Sequence, residues 1–286
     1  MALTAELPET ETDIQVVEVE CSAVLQRTGL TDYTVDGYQG CEHSCVYCSH
    51  QPLFRGERQN GIWGKRVEVR VNAPEVLARE VTRFRKGRVL LSHGCDGWQP
   101  VEEHYGISRR LLEVLRHHHI PITILSKGHG VVRDFDLLSK RGRVEFGVSL
   151  CTMDRSLWLE LEPRAASVDE RLALLERAKS KGLDCFVFLG PLIPDLTDTP
   201  EDLRNAFQCL AELRVDFFYV DTLIPSPKVW FGVKAYLERA HPEMVEQVRQ
   251  VLYDRQARDA YKERLRRRVT SMAKRHGLVE RLIFCF

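Results

Sequence analysis

Short apolar runs alternate with amphipathic helical patterns through the middle of the chain. Each run is a few residues long and is followed by polar, Gly or Pro residues, which is the pattern of a buried strand. The predicted strands cover residues 33–38, 88–92, 122–125, 144–150, 185–189 and 217–223.

The segments between these strands have the spacing of amphipathic helices, at residues 74–84, 108–118, 167–181 and 199–213. Pro74 suits a first helical turn, Ser167 and Glu170 match a capping box, and Gly182 suits a helix C-cap. Repeated strand–helix units require a parallel sheet with right-handed crossovers. Six strands are too few for the usual eight-stranded barrel, so the sequence predicts an α/β fold built on an open, partial (β/α)6 barrel.

Three regions are expected: an N-terminal tail or extension at residues 1–30, the barrel at 31–225 and a helical C-terminal extension at 226–286. Residues 1–16 are acidic and lack the hydrophobic region of a signal peptide. No apolar run reaches about 18 residues, so no membrane span is expected. These features favour a cytoplasmic, reducing location.

The composition is that of an ordinary soluble globular protein, with 44% hydrophobic and 29% charged residues. The 41 basic and 41 acidic residues cancel, so the net charge gives no general attraction to nucleic acid. Residues 255–275 are locally basic and are the candidate contact to DNA phosphates. The alternative is a solvated amphipathic helix whose apolar stripe consists of Tyr261, Leu265, Val269 and Met272.

Three cysteines, Cys41, Cys45 and Cys48, follow the first predicted strand with the spacing C-x3-C-x2-C. Three thiolates this close can hold one face of a [4Fe–4S] cluster, which needs four ligands for saturation. One iron then stays open for a ligand, which indicates chemistry rather than electron storage.

Other metal sites remain alternatives. His43 or His50 would complete a Cys3His zinc site, although the distant second cysteine pair of most zinc motifs is missing. A non-catalytic iron–sulfur or zinc protein also stays open. The nine cysteines are an odd number and no secretory signal accompanies them, so disulfides are not expected.

The cysteine spacing, with Tyr47 just before the last cysteine, resembles the signature of the radical S-adenosylmethionine (SAM) superfamily. In that family the open iron chelates the amino and carboxylate groups of SAM. Reduction then cleaves SAM to methionine and a 5′-deoxyadenosyl radical, which abstracts hydrogen from a substrate. The resemblance implies a partial barrel of the radical SAM type and, as electron donor, a protein such as flavodoxin or ferredoxin.

Six segments in matching order, the cysteine motif among them, resemble the spore photoproduct lyase group, also described as DNA repair photolyase-like: residues 40–48, 95–102, 124–127, 147–149, 161–164 and 191–194. The likeness spans about residues 33–223. It implies a lyase that repairs thymine photoproducts in DNA. The alternative is the same radical chemistry on a small molecule, RNA or a peptide.

The resemblance also implies roles for individual residues. Cys95 would return a hydrogen atom to the product radical, or else is a core cysteine. Where the lyases place a tyrosine after the last cluster cysteine, this chain has Ser49, and Cys151 is a second candidate thiol. The expected cofactor-binding residues are Tyr47, Asp96, Lys127 and Ser149.

Asp96, Lys127 and Ser149 each have an ordinary structural alternative. Lys127, expected at the SAM carboxylate, would otherwise be a surface lysine. Ser149 would otherwise be satisfied by backbone, and Asp96, expected at the ribose or the sulfonium side, would otherwise cap a turn.

Overall fold

The computed structural model describes residues 14–29, 31–51, 63–84, 86–138 and 144–286. Most of the acidic segment predicted as a tail therefore lies outside the described residues. Its last part does not form a tail, because Gln15 and Val16 begin a strand.

Eleven strands occur among these residues: β1 (Gln15–Val19), β2 (Leu25–Arg27), β3 (Tyr33–Val35), β4 (Tyr38–Gln39), β5 (Arg66–Arg70), β6 (Val89–Leu91), β7 (Ile122–Ser126), β8 (Val144–Leu150), β9 (Asp184–Leu192), β10 (Phe217–Thr222) and β11 (Leu282–Phe284). Eight of them form one sheet in the order β11-β10-β9-β8-β7-β6-β3-β2, and β1, β5 and β4 form a small second sheet. In the large sheet every pair is parallel except β2 with β3. The partial (β/α)6 barrel is confirmed, with β3 and β6 to β10 as its six strands.

The helices are α1 (Ala73–Glu80), α2 (Glu102–Tyr105), α3 (Ile107–His117), α4 (Arg155–Leu161), α5 (Val168–Ser180), α6 (Pro200–Leu213), α7 (Pro227–Ala240), α8 (Val245–Tyr253) and α9 (Arg255–Arg275). The predicted capping box is confirmed. The Ser167 hydroxyl accepts from the Glu170 amide at 3.2 Å, and Glu170 Oε2 accepts from the Ser167 amide at 2.7 Å. Two donors at the start of α5 are satisfied in this way, which fixes where the helix begins.

The predicted first strand, residues 33–38, is two strands. Val35 ends β3 of the barrel, and Tyr38 begins β4, which pairs with β5 in the small sheet. Gly37 lies between them, where a Cβ would meet the Ile107 side chain at 2.7 Å. The chain changes sheets at this glycine because only a residue without a side chain passes so close to α3.

Both ends of the described chain add strands that the sequence pattern did not predict. The C-terminal extension is helical through α7, α8 and α9, but it then returns as β11 and pairs with the outer edge of β10. At the other edge β2 pairs with β3. β2 and β11 are edge strands of three residues, and β2 has no apolar run that would mark it as a strand.

The helix α9 covers the basic segment that was predicted from the sequence. Tyr261, Leu265 and Val269 are buried on one face, as expected for an amphipathic helix. Among the residues that the structure describes, no helix is long and apolar enough to cross a membrane.

Candidate active site

The three cysteines lie in the cluster loop, which we define as residues 40–51. Cys41 and Cys45 are buried, Cys48 is half-buried, and all three are free. The loop begins at Gly40, which has φ of +88° and whose missing side chain leaves room for the carbonyl oxygen of Arg66. Glycine is needed there, because this left-handed backbone is strained for other residues.

Side chains from two other segments hold the backbone of this loop. Gln99 accepts from the Glu42 amide at 2.8 Å and donates to the Gly40 carbonyl at 3.2 Å. Trp63 donates its indole N–H to the Cys45 carbonyl at 3.1 Å. The position of the three thiols is therefore set by the fold around them.

The environment of the thiols fits a metal centre. Burial, together with the charge of Asp96, raises the pKa of Cys41 to about 12, and burial raises the pKa of Cys45 well above its usual value. Buried thiols of this kind become thiolates when a metal supplies positive charge. Three free, closely spaced cysteines are the donor set that a [4Fe–4S] cluster with one open iron requires.

The zinc alternative would need His43 or His50 to join the three cysteines as a fourth ligand. No three His, Cys, Asp or Glu side chains in the described part of the chain are arranged around a single metal ion. His43 faces Asp96 instead, with Nδ1 3.6 Å from Oδ2. A cube of four irons places each thiolate on a different iron, so it does not need the ligands to converge on one point.

Lys127 follows β7 and is not the exposed lysine of the alternative interpretation. Its Nζ lies 3.9 Å from Glu162 Oε1 and 5.8 Å from the centre of the Tyr47 ring. Burial alone would lower the pKa of Lys127, but the facing Cys45 and Glu162 raise it above its ordinary value. The ammonium group is thus held charged beside the cluster loop.

Asp96 is buried at the exit of β6, and both of its carboxylate oxygens accept hydrogen bonds from the protein. Oδ1 accepts from the Trp98 amide at 2.9 Å and from the Ser126 hydroxyl at 2.8 Å, and Oδ2 accepts from the Lys127 amide at 2.6 Å. Asp96 therefore caps its own turn and joins the exits of β6 and β7. Its contact with SAM stays a prediction.

Ser149 lies in β8 and is buried. Its hydroxyl is 3.4 Å from the Gly190 carbonyl of β9, so the backbone provides a partner. A role toward the cofactor stays a prediction here as well.

Cys95 lies two strands away from Ser149, at the exit of β6, and is half-buried. Its thiol is 3.9 Å from Asp36 Oδ1, and the same oxygen accepts from the Gly94 amide at 2.8 Å. Cys151, the other candidate thiol, is only 1% exposed and packs in an apolar cluster with Cys45 and Tyr47. Of these two cysteines, Cys95 is the more exposed one.

Sequence reasoning missed several residues that build the site. Glu162 and Arg171 form a buried ion pair behind the cluster loop, and Gln99 holds the loop itself. The segment at residues 161–164, which contains Glu162, resembles the spore photoproduct lyase group. Nothing in its spacing indicates a contact with Tyr47.

The family model described as the radical SAM superfamily matches residues 35–209. The chain belongs to this superfamily. A [4Fe–4S] cluster and SAM are the cofactors of the family, in agreement with the donor set of the cluster loop.

Individual proteins similar to the chain include the uncharacterized protein Rv2578c of Mycobacterium tuberculosis, 32% identical over 86% of this chain and 75% of that protein. The uncharacterized protein MJ0683 of Methanocaldococcus jannaschii is 26% identical over 82% of this chain and 86% of that protein. Spore photoproduct lyase complexed with dinucleoside spore photoproduct has a TM-score of 0.71 at 14% identity, covering 100% of this chain and 87% of that chain. A mutant of that lyase with bound AdoMet and dinucleoside spore photoproduct also has a TM-score of 0.71. It is 14% identical and covers 98% of this chain and 86% of that chain. At this identity the structural likeness establishes the fold.

Proposed function

We propose that the chain is a radical SAM enzyme that acts as a spore photoproduct lyase-like lyase on thymine photoproducts in DNA. When bound, the cluster and SAM supply a 5′-deoxyadenosyl radical that abstracts hydrogen from the substrate. The residues that would hold these groups are Cys41, Cys45 and Cys48 for the cluster and Tyr47, Asp96, Lys127 and Ser149 for SAM. The enzyme would work in the cytoplasm with an electron donor such as flavodoxin or ferredoxin.

The observation that carries this proposal is the place of Cys95. Cys95 is half-buried at a strand exit, next to Asp96, and its thiol lies beside Asp36, so it adjoins the proposed SAM site. A thiol in this position can return hydrogen to a carbon radical. The S–H bond breaks homolytically, the hydrogen atom passes to the product radical, and the unpaired electron remains on Sγ of Cys95.

The thymine photoproduct is supported by the resemblance of the strand-exit segments and by a fold like that of spore photoproduct lyase over the whole chain. Such a lesion lies within stacked bases, so binding requires the damaged bases to be splayed out of the helix.

A second candidate is the same chemistry on a substrate other than DNA, and the contacts of α9 favour it. Arg268 lies 3.5 Å from Asp198, Arg264 lies 3.8 Å from Asp195, and Arg258 donates to the Leu252 carbonyl at 2.9 Å. These arginines are engaged within the protein, which leaves fewer of them for phosphates. A DNA-binding assay over a salt series separates the candidates, because phosphate contacts weaken steeply with salt.

The decisive experiment is anaerobic incubation with SAM, dithionite and dinucleoside spore photoproduct, with thymine product and 5′-deoxyadenosine measured separately. In deuterated water the wild-type product should carry deuterium, because a thiol hydrogen exchanges with solvent. Cys95→Ala should still form 5′-deoxyadenosine but divert the product to by-products, and Cys285→Ala, at an exposed cysteine after β11, is the matched control. Wild-type product from Cys95→Ala would remove Cys95 from the mechanism, and deoxyadenosine without any thymine product would favour the second candidate.

A further inference from the structure

An ion pair without access to solvent lies directly behind the cluster loop. Arg171 of α5 and Glu162, which follows α4, are both 0% exposed, with Nη2 and Oε2 2.5 Å apart. Arg171 also donates to the Ser149 carbonyl at 2.8 Å. Stability is a weak reason for such a pair, because apolar residues of similar volume often stabilise a core as well.

Glu162 has two further partners, and both belong to the site. The Tyr47 hydroxyl donates to Oε1, and Lys127 Nζ lies 3.9 Å from the same oxygen. Tyr47 stands between two cluster cysteines in the sequence. One carboxylate oxygen thus joins the cluster loop to the lysine proposed to hold the SAM carboxylate.

The backbone around Glu162 makes the same connection. The Val46 amide donates to the Leu161 carbonyl at 3.0 Å, and the Ala166 amide donates to the Lys127 carbonyl at 3.0 Å. Arg164 donates to the Gly64 carbonyl at 2.5 Å. We call residues 161–166 the clamp, because they hold the cluster loop on one side and Lys127 on the other.

Four charges lie close together in this region: Lys127 and Arg171 are positive, and Glu162 and Asp96 are negative. Of these, Lys127 and Glu162 act on Cys45. Without the charge of Glu162, one positive charge would be uncompensated near the thiolates. Since charges interact strongly where water is excluded, an added electron on the cluster would then be stabilised.

We propose that Glu162 is a positioning residue that holds Tyr47 and Lys127 in place and sets the charge, and hence the reduction potential, of the cluster site. The inference rests on the proposed function only through the assignment of the cluster to Cys41, Cys45 and Cys48. Substrate and Cys95 play no part in it, so an error about the substrate would leave the result of its test unchanged.

Two substitutions separate the effect of the charge of Glu162 from the effect of its side-chain length. Glu162→Gln keeps the length and an oxygen for the Tyr47 hydroxyl but removes the charge. Glu162→Asp keeps the charge but is too short to reach Tyr47. The reconstituted protein is examined without SAM, by a potentiometric titration followed by electron paramagnetic resonance and by the rate of iron release to a chelator.

Glu162→Gln should raise the midpoint potential while iron release stays as in the wild type. Glu162→Asp should keep the wild-type potential and release iron about tenfold faster, which is the effect of losing about 1.4 kcal/mol of hydrogen bonding. If both folded variants match the wild type in both measurements, Glu162 is only a buried partner of Arg171 and the inference is overturned.

Asp198→Asn is the matched control. Asp198 is also 0% exposed and faces an arginine, Arg268 at 3.5 Å, but its partners lie outside the cluster loop. Its substitution should leave potential and iron release unchanged, and an equal shift in this variant would overturn the inference. Should the Glu162 variants not fold, Tyr47→Phe removes the same hydrogen bond from the other side. It must then release iron faster at an unchanged potential, and release at the wild-type rate would count against the inference.

Discussion

Gly232 of α7 offers a sharp test of how the cluster loop is held. A Cβ at this position would meet the carbonyl oxygen of Val46, with the Val46 carbonyl carbon at 3.1 Å and Gln51 Nε2 at 2.8 Å. The obstacle is mainly backbone, which no change of rotamer can move aside. Gly232→Ala therefore forces α7 and the cluster loop apart.

The expected magnitude is the difference between two opposing effects. Alanine favours a helix over glycine by about 1 kcal/mol. Overpacking of a close contact costs about 1–3 kcal/mol, and a rigid carbonyl places this case in the upper half of that range. The net loss of stability should be about 1–2 kcal/mol, or roughly 2–3 °C in melting temperature for a chain of this size.

The assay is urea unfolding of the metal-free protein, together with iron and sulfide content after anaerobic reconstitution. Phe231→Ala is the matched control, since Phe231 is the neighbouring residue on α7 and is 61% exposed. We expect it to change stability by no more than about 0.5 kcal/mol and to keep the full iron content. A Gly232→Ala protein that is as stable as the wild type and holds a full cluster would refute the reasoning.

Other predictions concern the site and its surroundings. The wild type should bind about four irons per chain. Each single replacement of a cluster cysteine should abolish 5′-deoxyadenosine formation, in the variants Cys41→Ala, Cys45→Ala and Cys48→Ala. Formation of 5′-deoxyadenosine by a variant that lacks all three cysteines would contradict the assignment. Lys127→Ala should weaken SAM binding by about 1.5–3 kcal/mol in a titration while iron content is retained, and an unchanged affinity would exclude this lysine from the SAM site. Burial raises the pKa of Asp202 to about 6, so the folded protein binds this proton more tightly than the unfolded chain does. The contribution of Asp202 to stability, up to about 3 kcal/mol, should be lost as the pH rises from about 4 to 6, so the wild type should lose stability relative to Asp202→Asn over that range.

Local patterns predicted the parts of the fold that depend on local sequence. The strands of the barrel are short apolar runs, and α5 begins at Ser167 because a capping box is encoded within four residues. The cysteine spacing likewise predicted the cluster loop, since three ligands of one cluster must lie close together in the chain.

The remaining features depend on partners far apart in sequence. The pairing of β11 with β10 depends on an edge that becomes available only once the barrel has formed. Glu162 meets Tyr47 and Arg171 because α4, α5 and the cluster loop pack together, and no periodicity in the sequence encodes that packing. A single sequence therefore indicates the residues that carry the chemistry more readily than the residues that hold those side chains in position.

The contact between Gly232 and the carbonyl of Val46 also has a consequence for the order of events during synthesis. The cysteines leave the ribosome early, whereas α7, which covers their loop, is made only after all six barrel strands. Until α7 docks, the loop lacks one wall, which leaves the thiols more accessible. We therefore expect cluster insertion to precede the docking of α7, which then closes the site over a cluster already delivered.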